Sequence, residues 1–491
     1  MIETQKVITH INWLLVDIKV IAESVRKLQN RIVNAKKDGR LRMVKQLQSL
    51  LVKSLKARLL AVKRVSENKG KNTAGVDGEL LNTARKKMKC VEALKVDLST
   101  YRAQPLKRVE IPKKNGKMRP LGIPTMFDRA VQALYKFALE PIAEVTADKN
   151  SYGFRAKRST QDAMKQIWLR TCRKSARHWV LEADIKGCFD NISHQWLYDN
   201  IPLDNKLLKQ WLKSGCIKND TLYPTDSGTP QGGIISPILA NMVLDGIEAI
   251  VQKHNKVTTK TINKVVVHRQ GVYFNFIRYA DDFVVIGENP KLLRLLQKEI
   301  EVFLNARGLE LSKEKTRITN IYEGFDFLGF HFKKFSNGKM IVHPTKEGIR
   351  SFKSKIKEVF NQCRGSSLTF LIYKLNPIIR GWGNYYKFVN SKDIFKELDR
   401  YIWYKSLNWI KRIHQGVHIW KYIKRYFRPY LEYEAQTLSD GKRSVFYLSS
   451  IPLREHLKIR GEANPFDKAY DQYFRNRAIS LKSHNVLAIN A

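Results

Sequence analysis

Two adjacent carboxylates in the run Tyr279-Ala280-Asp281-Asp282 are the residues whose types and spacing most clearly could do chemistry. They interrupt an apolar run, Phe276 to Ile286, that otherwise reads as strand. Like charges this close raise each other's proton affinity unless a cation intervenes. A divalent ion resolves the conflict, and Mg²⁺ is commonly held by one or two carboxylates plus substrate phosphates. A third acid, Asp184, lies in a second apolar run, Val180 to Ile185, about a hundred residues earlier. Strands are easily placed side by side, so all three acids could converge on a pair of ions. The chemistry would be phosphoryl transfer, with one ion activating a 3′-hydroxyl and the other stabilising a leaving pyrophosphate. Either motif alone reads better as surface acids at strand ends. The rest of the pattern has to decide.

Those acids need strands, and the stretch from Pro105 to about Phe335 supplies short β-rich runs between helices. Leu106 to Ile111 alternates like a strand, and Asn115-Gly116 marks a hairpin turn before Met118-Arg119-Pro120. Upstream, residues 10–66 read as helix, with Ile18, Ile21, Val25, Leu28 and Ile32 on one face and Lys27, Arg31, Lys36 and Lys37 elsewhere. Such a long basic helix is either a solvated face or a contact for RNA or template. The turn cluster Asn72 to Gly78 closes it. Residues 345–430 return to helix, dense in Trp and Tyr. Beyond them, 433–448 and 461–468 are rich in Gly, Ser, Asp and Asn, with a short strand expected near Val445–Leu448.

Composition narrows the partner. The 491 residues carry a net charge of +44, while 43% are hydrophobic, so the charge sits on folded surfaces. A polyanion is the natural counterpart, with counterion release from phosphates supplying much of the affinity. A small-molecule metabolic enzyme has no need of this charge. The five cysteines, Cys90, Cys172, Cys188, Cys216 and Cys363, form no Cys-x-x-Cys pair, which argues against a zinc ribbon or disulfide framework and for a reducing compartment. There is no run of about 18 apolar residues to cross a membrane.

Taken in order, the motifs resemble the reverse transcriptase family, and within it the proteins encoded by group II introns (maturases). The blocks that carry the resemblance are Arg108 to Pro124; Ser151-Tyr-Gly-Phe-Arg155; Ala183-Asp184 through Phe189-Asp190; Gly228-Thr-Pro-Gln231-Gly-Gly through Pro237; Tyr279 to Asp282; and Phe325 to Phe330. Leu28 to Ile32 and Leu47 to Leu51 match the N-terminal extension of the group II proteins, and Arg380-Gly-Trp382-Gly-Asn-Tyr385-Tyr386 matches their thumb, or X domain.

The resemblance implies an α/β right-hand polymerase. Its parts would be a helical N-terminal extension (1–71), fingers and palm (72–338), a helical thumb or X domain (339–430) and a small basic DNA-binding region (431–491). It implies that Asp184, Asp281 and Asp282 are metal-binding catalytic acids, with the Ile185 carbonyl completing one coordination sphere around two Mg²⁺ ions, for which Mn²⁺ could substitute. Lys113 and Arg119 would clamp the triphosphate, and Gln231 would contact the incoming nucleotide. Phe189 would exclude a ribose 2′-hydroxyl, or else be a core aromatic. Leu328-Gly329 would lie in the primer grip. Arg31, Arg380, Trp382 and Tyr385 would contact RNA or primer-template, although helix-bundle core remains open for the aromatics. Arg475 and Arg477 would hold DNA.

The implied partners are group II intron RNA in a ribonucleoprotein, target DNA, RNA template-primer and deoxynucleoside triphosphates, with no membrane. The expected location is the bacterial cytoplasm at the nucleoid, or an organelle in a eukaryotic host. Many relatives continue into a His-Asn-His endonuclease; this sequence stops some fourteen residues after Arg477, without its Cys pairs. If the sequence is complete, it is not expected to cut a second DNA strand. Residues 252–272 exceed the usual link and read as a basic hairpin. Two other readings stand beside the polymerase: a splicing-only maturase, against which the intact acids argue, and a related reverse transcriptase recruited to defence or repair.

Overall fold

The computed structural model describes residues 13–95, 100–112, 116, 118–262, 265–271, 273–414 and 418–486. It divides into one unit of Met1–Ser159, Leu181–Ile318 and Ile459–Phe474 and another of Thr160–Val180, Thr319–Lys458 and Arg475–Ala491.

In the first unit the basic N-terminal stretch is three helices where the sequence suggested one run: α1 (Ile18–Lys37), α2 (Leu41–Lys53) and α3 (Leu55–Glu67). Asp17 caps α1 by accepting from the Lys19 and Val20 amides, and Gly39, at φ +70°, ends it in the left-handed conformation that glycine adopts cheaply. Helix α4 (Ala84–Ala93) follows. The apolar faces of α1 and α3 pack on α5 (Met126–Thr146), a helix buried over most of its length.

Strands β1 (Leu106–Pro112) and β2 (Met118–Ile123) form the expected antiparallel hairpin, with Ile111 opposite Arg119 and Gly116 at φ +78°. With β4 (Cys216–Lys218) and β5 (Thr221–Tyr223) they make a sheet of order β2-β1-β4-β5. The second sheet has the order β10-β3-β9-β8, from β3 (Trp179–Asp184), β8 (Asn275–Tyr279), β9 (Asp282–Gly287) and β10 (Arg317–Asn320). Its residues Val284, Val285 and Ile286 are fully buried, which explains their unbroken apolar character. Helix α6 (Ser236–Leu244) leads into α7 (Ile247–Lys253), which packs beside β8, while α8 (Pro290–Asn305) packs on β9. Between α7 and β8 the long link forms a hairpin, β6 (Lys256–Ile262) with β7 (Val265–Gly271).

The second unit holds the three-stranded sheet β11 (Phe325–Phe327), β12 (Phe330–Lys334) and β13 (Met340–Pro344). It also holds the helices α9 (Lys346–Gln362), α10 (Leu368–Tyr386) and α11 (Lys392–Ile413). Two corrections fall here. Val445–Leu448 is not a strand but an irregular segment running into a 3₁₀ turn at Leu448–Ser450. The strands lie earlier, as the hairpin β14 (Phe427–Tyr430) and β15 (Tyr433–Leu438), where helix was expected to Tyr430. Pro429 cannot continue a helix, and Leu431 at φ +51° turns the chain back. The last helix, α12 (Asp471–Val486), ends the described chain.

Candidate active site

Tyr279 pairs with Asp282 across the β8–β9 hairpin, so Ala280 and Asp281 form its two-residue turn. Ala280 sits at φ +57°, a conformation that costs a non-glycine residue energy and persists only where neighbours impose it. One neighbour is Gly153 of the Ser151–Arg155 block: a Cβ there would stand 2.3 Å from the Ala280 amide nitrogen. This block lies along β8, with the Tyr152 amide donating to the Arg278 carbonyl at 2.9 Å.

The other neighbour is the Arg278 side chain, which is 0% exposed. It donates to the Asp245 carboxylate at 2.5 Å, to Asn241 Oδ1 at 3.1 Å and to the Ala280 carbonyl at 3.3 Å. Asn241 in turn donates to the Gly153 carbonyl at 2.8 Å. A buried ion-paired guanidinium therefore ties both strands of backbone at the turn. Nothing in the sequence singled out Arg278; the only signal was a cation inside an apolar strand run.

Strand β3 neighbours β9 and ends at Asp184, and the three acids meet there. Burial first, and then Asp281 and Asp184, push Asp282 up to about 7; burial chiefly, with Asp184 adding to it, raises Asp281. Lys315 Nζ stands 3.0 Å from Asp184 Oδ2, and that contact raises its own pKa. Lys315 is the residue that sequence reasoning missed at this site. It comes from the segment before β10, and only folding brings it to the acids.

Chemistry supports a divalent cation here. The acids already need one lysine for partial neutralisation, and their oxygens are the donors hard cations prefer. Among the described residues no group of three or more His, Cys, Asp or Glu is placed so that it could hold a metal ion. Mg²⁺ does not require such a group, because substrate phosphates and waters complete its shell. The bridge between Ile185 and Leu311 is made by the flanking amides, Lys186 to the Glu310 carbonyl and Ser312 to the Asp184 carbonyl. That ladder does not use the Ile185 carbonyl.

Beside the acids, the Gly228–Gly233 loop is fitted onto Phe189 and Asp190. The Thr229 amide donates to the Phe189 carbonyl at 2.6 Å, and a Cβ on Gly228 would meet the Asp190 carbonyl at 2.5 Å. Gln231 donates to the Asp190 carboxylate at 3.0 Å and accepts from Arg119 Nε at 2.7 Å, joining two predicted nucleotide residues directly. Phe189 is half-buried, edge-on to Phe154 with ring centroids 6.2 Å apart. Lys113 lies outside the described residues.

The remaining expected contacts divide. Arg31 is exposed on a groove of about 470 Å³ that Lys27 and Lys53 also line. In the second unit Leu328 and Gly329, at φ +52° and +79°, form a two-residue hairpin turn. Its carbonyls accept from the Tyr385 and Tyr386 hydroxyls at 2.8 and 3.1 Å. Trp382 packs among Phe352, Tyr386 and Phe395, as the helix-bundle alternative has it, whereas Tyr385 stacks on Phe330 of β12. Arg380 is exposed above the Phe446 ring. Arg477 needs correction as a DNA contact: it is 9% exposed and donates to Asp162 and the Leu457 carbonyl, while Arg475 faces solvent.

Comparison with known proteins gives the family. Residues 111–332 match the family described as reverse transcriptase (RNA-dependent DNA polymerase), 13–94 match the N-terminal domain of reverse transcriptase, and 349–427 match the group II intron, maturase-specific domain. The group II intron-encoded protein LtrA of Lactococcus lactis is 32% identical over 337 residues, covering 57% of this chain and 55% of LtrA. Protein YkfC of Escherichia coli is 32% identical over 344 residues, covering 63% of this chain and 86% of YkfC. Maturase-like protein 1 of Euglena gracilis is 26% identical, covering 71% and 72%. The chain thus spans about half the length of LtrA.

Proposed function

Because the chain belongs to the reverse transcriptases of group II intron type, we propose that it is an RNA-directed DNA polymerase and maturase. In this reading it binds group II intron RNA, assists its splicing and copies the inserted RNA into cDNA at a DNA target. The observation that carries the reading is the convergence of Asp184, Asp281 and Asp282 at one hairpin turn with Lys315 against them. Two Mg²⁺ ions held by these acids would activate the primer 3′-hydroxyl and stabilise the departing pyrophosphate.

The chain's own groups do the rest. Arg119 and Gln231, already hydrogen-bonded to each other, present charge and amide donors to an incoming triphosphate. Phe189, seated against Phe154, bounds the space in which the sugar lies. Lys315 holds a proton at Nζ beside Asp184 and balances the acids between turnovers. Arg278 keeps the turn in its strained conformation. The exposed cations of α1, Arg31 and Lys27, offer phosphates of the intron RNA a basic face.

Asp281→Asn tests the site. Primer extension with Mg²⁺ is expected to fall by roughly 10³-fold or more, since a metal ligand is lost. RNA binding is expected to persist, because one carboxylate barely alters a net charge of +44. Extension at near wild-type speed would refute the assignment, and a parallel loss of splicing assistance would give the acids a structural role.

A further inference from the structure

The second unit contains a cavity of about 380 Å³ that takes no part in the chemistry above. One face of α11 supplies Lys396, Asp399, Arg400 and Trp403, at the helical spacing that aligns side chains, and Phe446 and Tyr447 form part of the opposite lining. Each wall sets a requirement. The aromatic rings favour a flat π-system. Lys396 and Arg400 are exposed and favour an anion beside the cavity. Asp399 is half-buried and accepts the Leu448 and Ser449 amides at 2.7 Å each. A carboxylate offers about four lone-pair positions, of which these two amides take one on each oxygen.

A phosphate inside the cavity would be repelled by Asp399, whereas a base with N–H groups on its edge would be held. The volume lies within the ~300–1,000 Å³ of small-ligand sites, which suits one nucleoside and excludes a duplex or a helix. Sequence-specific RNA recognition reaches bases splayed out of the stack, held on aromatic rings and read on their edges. Guanine alone among the four RNA bases places two adjacent N–H donors on its Watson–Crick edge, matching a carboxylate.

We propose that this cavity receives a single unpaired guanosine of a bound RNA, with Trp403, Phe446 and Tyr447 against the base, Asp399 accepting its edge donors, and Lys396 and Arg400 meeting the flanking phosphates. The proposal rests on the reading of this chain as an RNA-binding protein and adds a base-specific contact to it.

The test compares four labelled RNA hairpins that differ only at one bulged position: guanosine, inosine (which lacks the 2-amino group), adenosine, or no bulge. Binding to the full chain is followed by anisotropy at raised salt, which suppresses uniform phosphate contacts. The guanosine bulge is expected to bind about tenfold more tightly than the hairpin without one, within the range of a good bidentate base contact. Inosine is expected to lose several-fold of that gain, and Trp403→Ala to abolish the preference while its melting temperature stays near wild type. Equal affinity for all four RNAs, a preference for adenosine, or a preference that survives Trp403→Ala would overturn the proposal while leaving the polymerase reading intact. Failure to bind any of the hairpins, combined with failure to extend a primer, would overturn both.

Discussion

Replacing Arg278 by methionine separates the stability of the buried ion cluster from the geometry of the catalytic turn. The arginine is fully buried, and its loss takes from Asp245 the cation hydrogen-bonded to it, leaving Arg155 as a more distant one. Removing one partner of a buried pair costs about 3–5 kcal/mol. Asp245 is already pushed up to about 7, chiefly by burial, so it can take a proton and bring the cost to the lower end, about 3 kcal/mol. A typical stability of about 5–15 kcal/mol survives this, with melting lowered by roughly 3–5 °C for a unit of this size. The turn loses more. Without the bonds to Ala280 and Asn241, nothing ties the strained residue to the cluster, and a shift of about 1 Å at a catalytic group costs roughly 10²-fold in rate. Adding Asp245→Leu removes the stranded carboxylate and is expected to recover most of the melting temperature without recovering the rate. Primer extension under single-turnover conditions, alongside thermal melts of wild type, single and double variants, supplies both readouts. If the rate returns with the melting temperature, the arginine contributes stability alone and the bracing argument is wrong.

Three other outcomes are expected. Phe189→Ala opens space where its ring meets Phe154 and should admit ribonucleotides into the extension product; unchanged sugar discrimination in a folded variant would return Phe189 to a packing role. Gly153→Ala places a Cβ against the backbone of Ala280, which cannot give way as a side-chain end could, so extension should drop at least tenfold while RNA binding by filter retention stays within about twofold. Asp399 is pushed up to about 6, chiefly by burial and against the amides it accepts. An acid raised in the fold contributes stability that is fully present below its unfolded value near 4 and is lost as pH rises through the folded value. Denaturant midpoints of the wild type should therefore fall between about pH 4 and 6 relative to those of Asp399→Asn, and parallel curves would contradict the assignment.

Much of this protein was legible as local pattern. The apolar run around Asp281 and Asp282, the β1–β2 hairpin with its glycine turn, and the aromatic helices from about residue 345 each follow from neighbours in sequence, because side-chain period and turn chemistry act over a few residues. The order of the motif blocks carried the family, and the excess of cations carried the class of partner. Other features depend on long-range contacts. Lys315 reaches Asp184 across 131 positions, and Arg119 meets Gln231 across 112. Arg278, Asn241 and Gly153 brace one turn from three separate segments. Arg477 is a cation in a basic region by sequence, yet Asp162, 315 residues away, draws it inside. Trp382 and Tyr385 look equally suited to stacking on bases or to filling a core, and only their packing partners distinguish the two. Periodicity assigns a residue to a face; what that face meets is decided by contacts that close only in the folded chain, where an unpaired buried charge or polar group is costly enough to select its partner.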